Sequence, residues 1–388
     1  MSDLVERLIA AVSPEREHTA IVVRARYQPV GGPGRTVMPP TYPPQEGDRD
    51  PAAKYLIGDR LVDGHKRATV VIDQEPSQAN RVEESLRDAR DEGKVQLPMF
   101  ELRVPTKLDE IRLTSFDFPH RYADAYLRDS LVDGVRFDVS PVGQRLRTAT
   151  VADVRPLFQR EPGSLIFGAW DSHRKGRWPK FARLYSASMF GLDPVVSTRR
   201  GGRMDAVNLT GTVDDKGKAE ADWRFIPEGT KQKGNRLSEI GHGNIAPNPV
   251  PGGVTVSEIR RVASISLAGL QRLRFGDAST EAAILARAAL AALALAGDRL
   301  AFGGPSVWLR SGCDLAKAEE HAGFERPGSE LDELSITAHG ALDAFHELRD
   351  RAAAAGVAMS ADVISVQPMA SLREAIEYAV TAGVQDAG

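Results

Sequence analysis

The run "AAILARAALAALALAG" at positions 282–297 constrains this chain's fold more than any other stretch. Its residues are strong helix formers, and apolar positions fall on every side of the helix they would make. A helix without a solvent face must be enclosed by other elements. Arg287 interrupts the run, which is also shorter than the roughly 20 apolar residues a membrane span needs. The sequence therefore predicts a buried helix and no membrane attachment. At 388 residues the chain is long enough to build the core that encloses it.

Around that helix the signals alternate between strand and helix. "MSDLVERLIAAV" reads as a short amphipathic helix without the basic and apolar regions of a signal peptide. "HTAIVVRARYQPVGG" alternates as a strand, and the Pro- and Gly-rich stretch from 32 to about 66 reads as a long loop. Strand 67–73 is followed by a helix capped at Ser77, with Ala79, Val82, Leu86 and Ala89 at helical spacing up to Gly93. Strand 98–105, helix 120–134, strand 134–140, helix 151–163 and a buried strand "SLIFGAWDS" come next. From 186 to 252 the pattern is irregular apart from a short strand "MDAVNLT", which suits a hairpin-like insertion. Regular structure returns at 253–275, then the apolar helix, strand 306–312, helix "AHGALDAFHELRDRAAAAG", strand "ADVISV" and helix "SLREAIEYAVTAG". With no repeat and no clear linker, the expected fold is α+β in a single domain, 1–388.

The net charge is only -3, yet "DSHRKGRWPKFARLY" (171–185) holds Arg174, Lys175, Arg177, Lys180 and Arg183 with no acid after Asp171. From Asp171 to Arg203 the net charge is +6, leaving -9 for the remainder. A solvated helix face would mix in acids, so this strip is directed at an anion. Guanidinium and ammonium groups neutralise phosphates, and Trp178, Phe181 and Tyr185 can either stack on unpaired bases or pack into the core. "PSQANR" places Gln78, Asn80 and Arg81 within one turn of a helix N-terminus, where free N–H groups also suit phosphate.

Other chemistries find little support. The glycine-rich segment around His242 and Asn244 is neither a Walker loop nor a dinucleotide fingerprint. No histidine or cysteine spacing suits zinc, and no G-x-S-x-G is present. The acid/base candidates are His173 with Asp171 and His242 with Glu239. The lone cysteine, Cys313, precludes an internal disulfide, suits a reducing cytoplasm and reads as a small buried residue.

Four stretches, "PSQANRVEE", "LIFGAWDSHRKGRWPKFARLY", "LSEIGHGNIAPNPVPGGVTVSEIRRVASISLAGLQRLRF" and "LAFGGPSVWLRSGCDL", together resemble the GSU-type RAMP family. That family supplies the backbone (Cas-seven-type) subunit of the type I-G, formerly I-U, CRISPR effector complex. The resemblance runs from about residue 18 to the C-terminus. It implies an RRM-like (ferredoxin-like) core with a long loop at about 32–66 and a thumb-like insertion at about 186–252. Such subunits bind CRISPR RNA, stack head to tail along it, and meet target DNA through the guide. The other implied partners are a fused Cas-five/Cas-six-like subunit and a large subunit, with no catalytic residue, cofactor or metal. By motif, RNA contacts are expected at Ser77, Gln78, Asn80 and Arg81, at His173, Arg174, Lys175, Arg177, Lys180 and Arg183, and at His242, Asn244 and Arg260. The aromatic signature of an RRM sheet is not evident, so loops and phosphates should carry the contacts. The rival readings are a RAMP-type endoribonuclease acting on CRISPR RNA or target RNA, with His173 and Asp171 as its only pair, and a general single-strand RNA-binding protein.

Overall fold

The computed structural model describes residues 2–43, 51–170, 180–214, 223–231 and 234–381. Helix α1 (Ser2–Ala11) leads to strand β1 (Ala20–Pro29), followed by the hairpin β2 (Ile57–Val62) and β3 (His65–Asp73). Asp63 and Gly64 turn this hairpin at φ 51° and 79°, the left-handed pair that a two-residue connection requires. Strand β2 therefore occupies part of the expected 32–66 loop. Helix α2 (Glu75–Asp91) starts earlier than expected. Its N-cap is Gln74, because Pro76 lacks an N–H and belongs in the first turn. Ser77 lies inside the helix.

Strands β4 (Met99–Pro105) and β5 (Glu110–Thr114) follow, and then the sequence expectations fail locally. Instead of helix 120–134 there is a one-turn helix α3 (Ala125–Arg128) and a hairpin of β6 (Ser130–Val132) and β7 (Val135–Arg136), turned by Asp133 and Gly134. The strand expected at 134–140 shrinks to β7 because a 3-10 turn, Phe137–Val139, takes over. Short helices α4 (Pro141–Arg147), α5 (Arg155–Arg160) and α6 (Gly163–Phe167) come next. The last replaces the expected buried strand: a short apolar run lacks the periodicity that separates buried helix from buried strand.

Strand β8 (Tyr185–Leu192) lies in what looked like irregular sequence. A ribbon of β9 (Val195–Arg203) and β13 (Ile245–Thr255) encloses a small three-stranded tip of β10 (Thr212–Val213), β11 (Phe225–Ile226) and β12 (Asn235–Arg236). "MDAVNLT" forms a turn rather than a strand, organised by the Asp205 carboxylate, which accepts from the N–H groups of Val207 and Leu209. The chain continues through β14 (Glu258–Ser266), α7 (Leu267–Arg272), α8 (Thr280–Phe302), β15 (Ser306–Trp308), β16 (Asp314–Glu325), β17 (Leu331–Glu333), α9 (Ala338–Ala354), β18 (Val363–Pro368) and α10 (Ala370–Thr381).

The main sheet runs β15-β16-β1-β14-β8-β3-β2, with β17 on β16. Four of its strands and two helices, taken as β1-α2-β8-β14-α8-β16, trace a βαββαβ path with every neighbouring strand pair antiparallel. That path is compatible with the expected RRM-like core. A second sheet, β5-β4-β18-β6-β7, contains the parallel pair β4/β18. One continuous core includes residues of α1, α2, α8 and α9 and of both sheets. The helix that forms, α8, extends the apolar run at both ends and is long and apolar enough to cross a membrane, but 72% of its most apolar window is buried, as a helix enclosed by its own chain must be. Gly297 lets α2 approach closely: a Cβ there would sit 2.6 Å from Val82 Cγ1.

Candidate nucleic-acid interface

Gly168, at φ 81°, ends α6 in a conformation that glycine adopts without strain. Beyond it, Ala169 and Phe181 exchange two backbone hydrogen bonds of 3.0 Å, so the two ends of the basic strip are clamped together. Leu184 N–H donates to the Ile166 carbonyl at 2.8 Å just below the clamp. Arg121 braces the clamp from behind: Nη1 donates to the Gly168 carbonyl at 2.7 Å, while Nε and Nη2 grip both oxygens of Glu83 at 2.6 Å. All of this is enclosed, so the pair is held by good geometry on both partners.

His173, Arg174, Lys175 and Arg177 lie outside the described residues, as do Asp171 and Trp178. Lys180 and Arg183 are described, and both are exposed. Phe181 and Tyr185 pack into the core, which settles the choice between stacking and packing for these two. Lys180, Arg183 and the exposed Arg272 at the end of α7 border one groove of about 240 Å³. Among the described residues none of the three forms a salt bridge, whereas half of the described arginines do. Exposed cations that border a groove without salt bridges form a surface that can take phosphate.

The other sequence candidates have local partners. Gln78 is fully buried: its amide nitrogen donates to Asp73 at 2.6 Å and its oxygen accepts from Arg261 Nε at 2.8 Å. Arg81 donates to the same Asp73 carboxylate at 3.1 Å. Ser77 is half-buried and Asn80 is exposed. The Asn244 side chain accepts from the Asp205 N–H at 2.6 Å and donates to Asn208, so it shapes the base of the tip. His242 is exposed, with its ring 5.6 Å from that of Trp223, and no hydrogen bond joins it to Glu239. Arg260 is paired with Asp63 at 2.8 Å and with Glu258. Thus the structure brings Lys180 and Arg183 together with Arg272, and leaves Gln78 inside the fold.

The ribbon β9/β13 carries exposed Arg199 and Arg200 on its first strand. Arg203 donates to the carbonyls of Gly241 and Gly243, and Val213, Leu237 and Ile240 give the tip a core of its own. On the sheet face away from α2 and α8, arginines occupy neighbouring positions. Arg26 lies opposite Arg260 in register and pairs with Glu319, and Arg24 pairs with Glu325 at 2.5 Å. Phe190, on the same face, lies beneath Arg60 at 4.7 Å. This face is tiled with ion pairs and presents no ready stacking platform among these residues.

Buried charge lies on the opposite side of the sheet. Asp298 accepts from Arg261 at 2.5 Å and from Arg299 at 2.6 Å, and from the Tyr185 hydroxyl at 2.8 Å. Burial alone would push the Asp298 carboxyl up, but the two guanidinium groups outweigh it and hold the group well below the usual carboxylate range. The cluster ties β8, β14 and α8 together and also fixes Gln78. It has the makings of a structural centre.

No curated protein matches the chain. Residues 21–195, from β1 through the clamp to the start of β9, match the family model of the CRISPR-associated protein GSU0053. This match supports reading the chain as a CRISPR-associated protein.

Proposed function

We propose that this protein is the repeated backbone subunit of a type I-G CRISPR effector complex, holding the guide RNA through its phosphates. The observation that carries this reading is the clamped basic strip, whose described members Lys180 and Arg183 share a groove with Arg272 and form no salt bridge among the described residues. Phosphate neutralisation is independent of sequence, as a scaffold that must accept any spacer requires. The ribbon β9/β13 with its separately cored tip suits the thumb that parts the guide from its target at intervals. In this reading Ser77, Asn80, His242 and Asn244 are secondary contacts, and Arg174, Lys175, Arg177 and His173 extend the strip. Copies dock head to tail along one RNA in the cytoplasm, target DNA arrives by pairing with the guide, and the fused Cas-five/Cas-six-like and large subunits complete the assembly. The chain acts as a scaffold and does not cut its guide.

Co-expression with a CRISPR array, followed by sequencing of the RNA that copurifies, tests the proposal. Guide-length RNA with spacers of every sequence is expected. Replacing Arg174, Arg177 and Arg183 together by Gln should weaken binding to all spacers alike and flatten the dependence of log K on log salt. Bulk cellular RNA without guide enrichment, or a mutant that loses only some spacers, would overturn it.

A further inference from the structure

Trp170 is 50% exposed at the mouth of the clamp, immediately before the basic strip. A large indole left half in water beside a rigid support asks for an occupant. The support comes from two sides. The His120 ring meets the indole edge-to-face, with centroids 5.9 Å apart at 76°, and the Lys180 ammonium lies 5.7 Å from the indole centroid. Behind it, the bond from Arg121 to the Gly168 carbonyl and the Ala169–Phe181 bridge fix the backbone on which Trp170 sits. A groove of about 260 Å³ runs past these residues to Arg183.

We propose that Trp170 is a stacking shelf for one unpaired nucleobase, with Lys180 and Arg183 taking the flanking phosphates. The proposal rests on the single-strand RNA reading above and adds a base contact to a surface otherwise described by charge. An indole accepts any base through its π-face, so the shelf is compatible with spacers of every sequence. The cations beside it, Lys180 at the ring and Arg183 along the groove, favour a polyanion over an apolar peptide as the occupant. Because the ring is held before binding, little rotamer freedom remains to be lost.

The test compares wild type, Trp170→Ala and Trp170→Phe by anisotropy, using a labelled single-stranded RNA and an abasic oligomer of the same length. Thermal unfolding confirms that each variant is folded. Trp170→Ala should weaken RNA binding about tenfold and leave abasic binding and the salt slope unchanged, while Trp170→Phe keeps most of the affinity. If wild type binds RNA and the abasic oligomer equally, or Trp170→Ala binds RNA as wild type does, the shelf is wrong and the phosphate-binding reading stands. If Trp170→Ala changes self-association alone, the indole belongs to a protein contact and the shelf is again wrong. If wild type binds neither oligomer, both readings fall.

Discussion

Arg260 and Arg261 are neighbours on β14, yet they live in different media. Arg260 projects from the uncovered face of the sheet and pairs with Glu258 and Asp63, two acids that water also reaches. Arg261 points beneath α8, is 1% exposed, and is held by Asp298, Tyr185 and Gln78. The alternation of a strand sends one guanidinium to each side. On the open side an ion pair competes with solvent and contributes little. On the enclosed side each charge is tolerated only because its partners are in place, so the cluster behaves as one unit. Charge density alone therefore says nothing about which residues hold the fold and which are free for a ligand.

Removing Asp298 should produce the largest effect on stability. Asp298→Ala leaves the enclosed Arg261 without its carboxylate and Arg299 with Glu320 alone, and urea unfolding should show a loss of about 3–5 kcal/mol. A loss below about 1 kcal/mol would break the distinction between the two faces.

Glu161 sharpens it, because this enclosed acid forms no salt bridge among the described residues. Burial pushes its carboxyl up to about 7, against the lowering effects of the Ser164 hydroxyl and of Arg121. A folded-state pKa above the unfolded value means that this group's contribution is complete below about pH 4.5 and is lost as pH rises to about 7. The loss should amount to about 3 kcal/mol. Glu161→Gln should flatten that part of the stability profile, measured by urea unfolding across the same window. Asp298 has the opposite sign: its pKa is depressed, so its contribution is present at neutral pH and is lost as pH falls. The smallest effect belongs to the open face, where Arg260→Ala should change stability by no more than about 1 kcal/mol. A larger loss would mean that the uncovered network also holds the sheet together.

How far the sequence could be read depended on which face a residue serves. Strand β1 and helices α2, α8, α9 and α10 were legible, because each repeats apolar residues at its own period or is apolar throughout. Strand β16, "DLAKAEEHAGFE", was invisible because its open face spends Glu319 and His321 on ion pairs instead of simple polar residues. The hairpin turns at Asp63–Gly64 and Asp133–Gly134 had a local signal that composition obscured. For the proposed interface, the shortage of acids near Lys180 and Arg183 was legible in the sequence, whereas Arg272, which borders the same groove, lies too far along the chain for a local pattern to join it to them. Gln78 was misplaced because its partner Arg261 is 183 residues away, beyond any local pattern. Trp170 was passed over because its segment read as a buried strand.

The order of strands has a consequence for how the protein is made. Strand β1 is flanked by β14 and β16, with Ala20 opposite both Ser266 and Glu325. At synthesis rates of about 5–20 residues per second, β1 waits roughly 10–50 s for its first neighbour to leave the ribosome. Through that interval its Ile21, Val22 and Val23 have no sheet to enter, and both strand edges are open to pairing with other chains. Completion of the main sheet is therefore a late event that requires nearly the full length of the chain. A ribosome that stalls before residue 258 leaves β1 without its partner, a sticky fragment rather than a smaller version of the fold.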